Sequence, residues 1–246
     1  MGNYTVGRCL TARIWVDTGE PPKGAEKVLT LRDDTRQRVF QKPGTPSSGS
    51  PRPIAEYIAS VCGRWLGVKV PTVHLCNSPG PVSLSCSVEP CIPWAELKQK
   101  PHDHLFARAV ERLADFAGVV VLDLLVRLAD EERCVNHSNH LYSTAEDAWY
   151  SIDYAPSLCH SKYFGRITYQ DELIAAMRSN PQTIAATLRR AQDIPVASFT
   201  LLLDSIPSSF PATTPTKYDL IEQLRGQHAV LADVVSAWCR AKSILL

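Results

Sequence analysis

The hydrophobic pattern of this chain changes period near residue 90, and that change limits the fold more than any other feature. Before it, "CLTARIWV", "KVLTLRD" and "QRVFQKP" are short segments rich in β-branched and aromatic residues, separated by turn chemistry in "DTGEPPKG" and "DDT". They predict an antiparallel meander. A loop, "GTPSSGSPRP", leads into "PIAEYIASVCGRWLG", where Ile54, Tyr57, Ile58, Val61, Cys62 and Leu66 recur at helical spacing between Pro53 and Gly67. Two more extended segments, "VPTVHLC" and "VSLSCSVE", complete a predicted five-stranded sheet with one inserted helix. After "PCIPW" the texture is helical, through "HDHLFARAVERLADFAGVVVLDLLVRLADEER" and then "QDELIAAMRSN", "PQTIAATLRRAQDI", "VASFTLLLDSI" and the C-terminal run from Lys217. One interruption, "NHLYSTAEDAWYSID", reads as a hairpin. The expected architecture is α+β and bilobal, with a β-rich lobe over residues 1–92 and a mainly helical lobe over 93–246, joined near Glu89 to Trp94.

Composition narrows the partners. The 246 residues carry 26 Lys and Arg against 25 Asp and Glu, and a net charge of +1 gives no bulk field for nucleic acid or an anionic membrane. No nucleic-acid partner is expected. The apolar runs "FAGVVVLDLLVRLA" and "HAVLADVVSAWCRAKSILL" are broken by Asp and Arg, short of the roughly 20 apolar residues of a membrane span. No secretory signal is read at the N-terminus, and "MGNYTV" places Val6 where a myristoylation signal wants Ser or Thr. Eight cysteines in a chain of this length then read as reduced thiols, and a cytosolic or nuclear location is expected.

The polar residues fall in an informative order. "LADEERCVNHSNHLY" follows an apolar helix and precedes the strand end "WYSID". Phosphoryl transfer needs a cation on nucleotide phosphates, a carboxylate holding that cation, a carboxylate near the attacking hydroxyl, and magnesium ligands. Lys42 ends a β-like segment and Glu56 lies on the next helix, where the two can form an ion pair; alone, each reads as a solvated surface charge. Asp130 opens the polar loop, where a carboxylate can accept a hydroxyl proton, or can serve as a helix-end aspartate. Asn136 and Asn139 offer amide oxygens, and Asp153 stands just past a β-like run, where a hard magnesium ion would find a carboxylate. A zinc reading competes for the same loop. Cys134, His137 and His140 form C-x-x-H-x-x-H, with Cys159 and His160 beyond, but no paired-ligand knuckle is present, and His140 is expected to pack beside Tyr142.

The stretches "VFQKPG" with "IAEYIASVCGRWLGVKVPTVHL", then "VLDLLVRLADEERCVNHSNHLY", then "WYSIDYAPSL" resemble the divergent protein-kinase-like group of HipA-like and actin-fragmin kinases over roughly residues 36 to 160. The resemblance implies a protein-kinase-like fold and transfer of the γ-phosphoryl of ATP, with magnesium, to a Ser or Thr of an unknown protein substrate. On it, Lys42 is similar to the phosphate-binding lysine, Glu56 to its ion-pair partner and Asp130 to the catalytic aspartate. Asn139, or else Asn136, takes the place of the metal-binding asparagine and Asp153 that of the metal-binding aspartate, while Glu89 lies in the connection that would face adenine. The segments "TGEPPKG" and "GTPSSGS" are alternative phosphate covers, since no G-x-G-x-x-G precedes Lys42. Leu128 and Glu131 replace the group's Asn and Arg around the catalytic aspartate, which points to a second class, a kinase-like interaction module without transfer activity.

Overall fold

A computed structural model describes residues 16–17, 29–32, 38–43, 52–76, 82–88, 90–127, 139–154, 157–158, 167, 169–208, 210 and 215–246; residues 16, 17, 29, 32, 42 and 43 are described in backbone only. The first part is a five-stranded sheet. Its strands are β1 (Val16–Asp17), β2 (Leu29–Arg32), β3 (Arg38–Pro43), β4 (Val73–Cys76) and β5 (Val82–Cys86), in the spatial order β1-β2-β3-β5-β4. All four pairings are antiparallel; β1, β2 and β3 follow one another as the expected meander does, while β5 comes between β3 and β4, with Lys42 opposite Ser83.

Helix α1 (Arg52–Leu66) lies between β3 and β4 in sequence and packs on β4 and β5. Thirteen of its fifteen residues are buried, Arg52 and Arg64 being the exceptions, because its other sides meet the helical part. A helix apolar nearly all round needs cover on every side. Its end is tied down by Gly67, at φ 71°, followed by a Val68 N–H donating to Gly63 O at 2.9 Å.

The second part begins with β6 (Cys91–Pro93), which pairs with the hairpin β7 (His140–Ser143) and β8 (Ala148–Ser151) in an antiparallel sheet ordered β6-β7-β8. The hairpin was expected. Its third strand was not, because three residues ending in a proline carry little strand signal.

The long helical run expected after residue 102 is broken, within the described residues, into α3 (His104–Glu111), α4 (Leu113–Phe116) and α5 (Val119–Leu125), after a short α2 (Trp94–Leu97). The second break falls at Ala117 and Gly118. A Cβ on Gly118 would stand 2.3 Å from Thr187 Oγ1 on a later helix, so the chain passes that hydroxyl at a residue without a side chain. The remaining helices are α6 (Asp171–Ser179), α7 (Pro181–Gln192), α8 (Val196–Ser205) and α9 (Lys217–Ala241). Helix α9 starts on a capping box in which Thr216 Oγ1 accepts from the Asp219 N–H and the Asp219 carboxylate accepts from the Thr216 N–H. A continuous core runs from α1 through α5, α7 and α9, while Val39, Val82 and Leu84 form a smaller cluster within the sheet. No helix among the described residues is long and apolar enough to cross a membrane.

The Gly118 contact gives the first prediction. Its φ of −66° suits any residue, so Gly118→Ala on backbone grounds alone would gain up to about 1 kcal/mol. The clash opposes that gain, since buried Thr187 is held by its own hydrogen bond to Thr183 O at 2.9 Å. We expect Gly118→Ala to lower the urea midpoint by the equivalent of about 1–3 kcal/mol. Adding Thr187→Ala should recover part of it.

Candidate functional site

Helix α1 carries Glu56 into a buried position, 4% exposed, where its Oε2 accepts a hydrogen bond from Ser83 Oγ at 3.3 Å. A buried carboxylate without partners is costly, so the strand hydroxyl belongs to the arrangement that keeps it there. Ser83 stands directly across from Lys42 in the ladder, and opposed residues of an antiparallel pair share a face of the sheet. The backbone thus brings the Lys42 position and the Glu56 side chain to one strand pair; the Lys42 side chain lies outside the described residues. Ser60, one helical turn beyond Glu56, donates to Pro71 O at 2.8 Å and accepts from the Val73 N–H at 3.1 Å, pinning α1 to the start of β4.

The hairpin supplies the other half. His140 faces Ser151 in its ladder, and the pairing continues one step outward, with the Ile152 N–H donating to Asn139 O at 2.9 Å. Asn139 therefore lies across from Ile152, the residue before Asp153, at the open end of the hairpin. Asp153 has φ 63°, a left-handed conformation that aspartate tolerates better than most residues. It shares with Glu56 the lining of a cavity of about 20 Å³, together with Ser60, Val73, Ser85 and Tyr154. That is room for a water or an ion and not for a nucleotide.

Of the residues singled out in the sequence, Glu56 and Asp153 meet at one cavity, Asn139 is bonded through its backbone to Ile152, the residue before Asp153, and Lys42 is placed by strand register alone. Asp130, Asn136 and Glu89 lie outside the described residues, as do Cys134, His137, Cys159 and His160 of the zinc reading. His140 and Tyr142, two residues apart in β7, share a side of the strand, and Phe116 and Trp149 lie between their rings. The His140 ring stacks on Tyr169 and meets Phe116 edge-on, with Nδ1 3.2 Å from Gln170 Nε2. Carboxylate and amide oxygens, which Asp153 and Asn139 carry, suit a hard divalent cation such as magnesium better than zinc.

Sequence reasoning missed what lies behind Asp153. Asp123, fully buried on α5, accepts hydrogen bonds from the hydroxyls of Tyr154 at 2.8 Å and Tyr169 at 2.6 Å. The signal was visible. A carboxylate within "VVVLDLLV" interrupts an otherwise apolar helix and had to find donors inside the fold.

A larger cavity, about 430 Å³, is lined by residues that include Lys69, Arg112, Asp147, Thr183, Thr187 and Arg190, and by none of the candidate residues above. Beside it, the Asp147 carboxylate at the hairpin turn is gripped by Arg108 at 2.9 Å, by Arg112 at 2.7 Å and by the Tyr142 hydroxyl. The hydrogen bonds from Arg108 and Arg112 hold its carboxyl well below the usual range, whereas desolvation and then the Asp147 bond push Tyr142 up to about 12. A depressed carboxyl pKa contributes stability that is complete above the unfolded value, near 4, and is lost as pH falls through the folded one. The stability difference between the protein and Asp147→Asn should thus be constant from pH 7 to about 5 and shrink toward pH 2. Denaturant midpoints of both proteins across that range check it, and a gap that widened in acid would contradict the assignment.

No family model matches the sequence, and no curated protein matches it. Among solved structures, the chain is similar to the proinflammatory kinase CtkA of Helicobacter pylori, with a TM-score of 0.62 and 17% identity over 96% of this chain and 98% of that one. It is also similar to the open conformation of CtTel1, with a TM-score of 0.52 and 12% identity over 85% of this chain but only 11% of that one. At these identities the likeness is one of fold. A β-rich first part, a mostly helical second part and a structural match along nearly the whole of a kinase give this chain a protein-kinase-like fold.

Proposed function

We propose that the protein is an ATP- and magnesium-dependent phosphotransferase of the HipA-like and actin-fragmin kinase type, acting on a protein Ser or Thr. The observation that carries this reading is the shared cavity of Glu56 and Asp153, two carboxylates nearly a hundred residues apart, on the helix and at the hairpin end where phosphoryl transfer wants them. Lys42, opposite the serine that bonds Glu56, is assigned to the nucleotide phosphates, with Glu56 fixing its ammonium. Asp153 and Asn139, with Asn136 as the alternative, are the assigned magnesium ligands; when bound, magnesium neutralises charge on the phosphates. Asp130 is assigned to accept the proton of the attacking hydroxyl, and the segment around Glu89 to face adenine.

A second reading has its own support. Leu128 and Glu131 flank Asp130 where the resembled group has Asn and Arg, and the cavity between Glu56 and Asp153 is ion-sized. Those features suit a kinase-like interaction module. Thermal-shift titration with ATP, with and without magnesium, followed by radiolabel transfer from ATP into a cell extract, separates the two. A magnesium-dependent rise in melting temperature with label transfer upholds the enzyme. No shift and no transfer, with protein partners captured in the absence of nucleotide, upholds the module.

A further inference from the structure

We infer that Asp123 is a positioning residue for the metal-side aspartate, acting through Tyr154; the inference rests on the reading of Asp153 given above. Asp153 occupies a left-handed backbone conformation at φ 63°, and such a conformation persists only where its flanks are fixed. Upstream, the Ile152 N–H is bonded to Asn139 O at 2.9 Å. Downstream, the next residue is Tyr154, 4% exposed, whose hydroxyl reaches Asp123 Oδ1 at 2.8 Å and Ser151 Oγ at 2.8 Å.

A phenol has one proton. With that proton donated to the Asp123 carboxylate in a hydrogen bond, the Ser151 hydroxyl donates to the phenol oxygen, and all three groups are satisfied. Ser151 is itself fully buried in β8 and its N–H donates to Lys69 O at 3.0 Å, so the tyrosine is held at both ends. Past Tyr154 the chain is fastened to the same helix end, since Ser157 N–H donates to Tyr154 O and Leu158 N–H to Val126 O, each at 2.9 Å. Asp123 and Val126 both belong to the stretch that runs into the loop of Asp130. One helix thus anchors the strand end carrying Asp153 and leads into the loop carrying the assigned base.

Tyr169 provides the internal control. It bonds the other oxygen of the same carboxylate, at 2.6 Å, and is equally buried, but it is remote in sequence from Asp153. Tyr154→Phe and Tyr169→Phe each delete one hydroxyl bonded to Asp123; the first also removes the partner of Ser151 and should cost somewhat more stability. Only the first loosens the residue next to Asp153. The test measures manganese affinity by electron paramagnetic resonance in the presence of a non-hydrolysable ATP analogue, with denaturant stability read alongside. We expect Tyr154→Phe and Asp123→Asn to weaken manganese binding roughly tenfold or more, as removal of groups that orient a metal ligand does, and Tyr169→Phe to stay within about twofold of the unaltered protein. Equal affinities for Tyr154→Phe and the unaltered protein overturn the inference and leave the phosphotransferase reading standing, as does an equal loss in both tyrosine variants. Absence of manganese binding by the unaltered protein overturns both. Should Asp123→Asn fail to fold, the two conservative tyrosine variants decide the question.

Discussion

Asp153→Asn is expected to abolish the magnesium-dependent part of ATP binding while leaving the fold in place. The backbone at φ 63° restricts which replacement gives a clean answer. Alanine at a left-handed position costs roughly 1–2 kcal/mol on its own, whereas asparagine visits that region readily and preserves the side-chain shape. A bound magnesium is worth several kcal/mol of charge stabilisation, and each 1.4 kcal/mol is tenfold, so losing the assigned carboxylate should reduce turnover by on the order of a hundredfold or more. Thermal shift with ATP should no longer respond to magnesium. Asp130→Asn serves as the contrast: general-base loss costs about 10²–10⁴ in rate, but the base acts on the acceptor, so magnesium-dependent ATP binding should survive. If Asp153→Asn retained the magnesium response, the cavity it shares with Glu56 would have to be read as a structural polar contact.

How far these sites were legible in the sequence depended on the range of the interactions that make them. Local signals were read well. The helical runs from Pro181 and from Lys217 and the hairpin around its polar turn were all expected, each from residues within a few positions of one another. The breaks between α3, α4 and α5 escaped because the run "ERLADFAGVVVLDLL" has one helical period throughout, and what sets Gly118 apart is Thr187 in another helix. The site divides in the same way. Glu56 and Asp153 were nameable from type and order, but the hydroxyl of Ser83 on Glu56 follows from strand register, which nothing in "VSLSC" announces. Asp123 is the instructive case. Read along the chain, it is an interruption that argues against a membrane span; in three dimensions it is the acceptor for two tyrosines that begin and follow the segment after Asp153.

Trp149→Ala should be the most damaging single change to stability among the described residues considered above. Trp149, 2% exposed, lies in β8 across from Tyr142 and between Trp94 and Phe116, with ring centroids 5.4 Å from both Tyr142 and Trp94 and 6.2 Å from Phe116. Its indole Nε1–H donates to Ala109 O at 2.7 Å, joining the hairpin to α3. Removing a buried Trp costs about 3–5 kcal/mol through lost burial and the cavity left behind, against the roughly 5–15 kcal/mol that holds a typical domain folded. Trp149→Phe separates the contributions: it restores much of the ring packing but leaves the Ala109 carbonyl without its indole donor, a loss of about 1–3 kcal/mol. The expected order of urea midpoints is unaltered protein, then Trp149→Phe, then Trp149→Ala. The position of Trp149 also ties this ordering to function. It stands in β8, which ends at Ser151, two residues before Asp153, so on the proposed reading a variant that stays folded but loosens β8 should lose magnesium response before it loses helical circular dichroism. Parallel loss of both signals would mean that the hairpin and the helices unfold as one unit, and the aromatic cluster would then be part of the global core with no separate hold on Asp153.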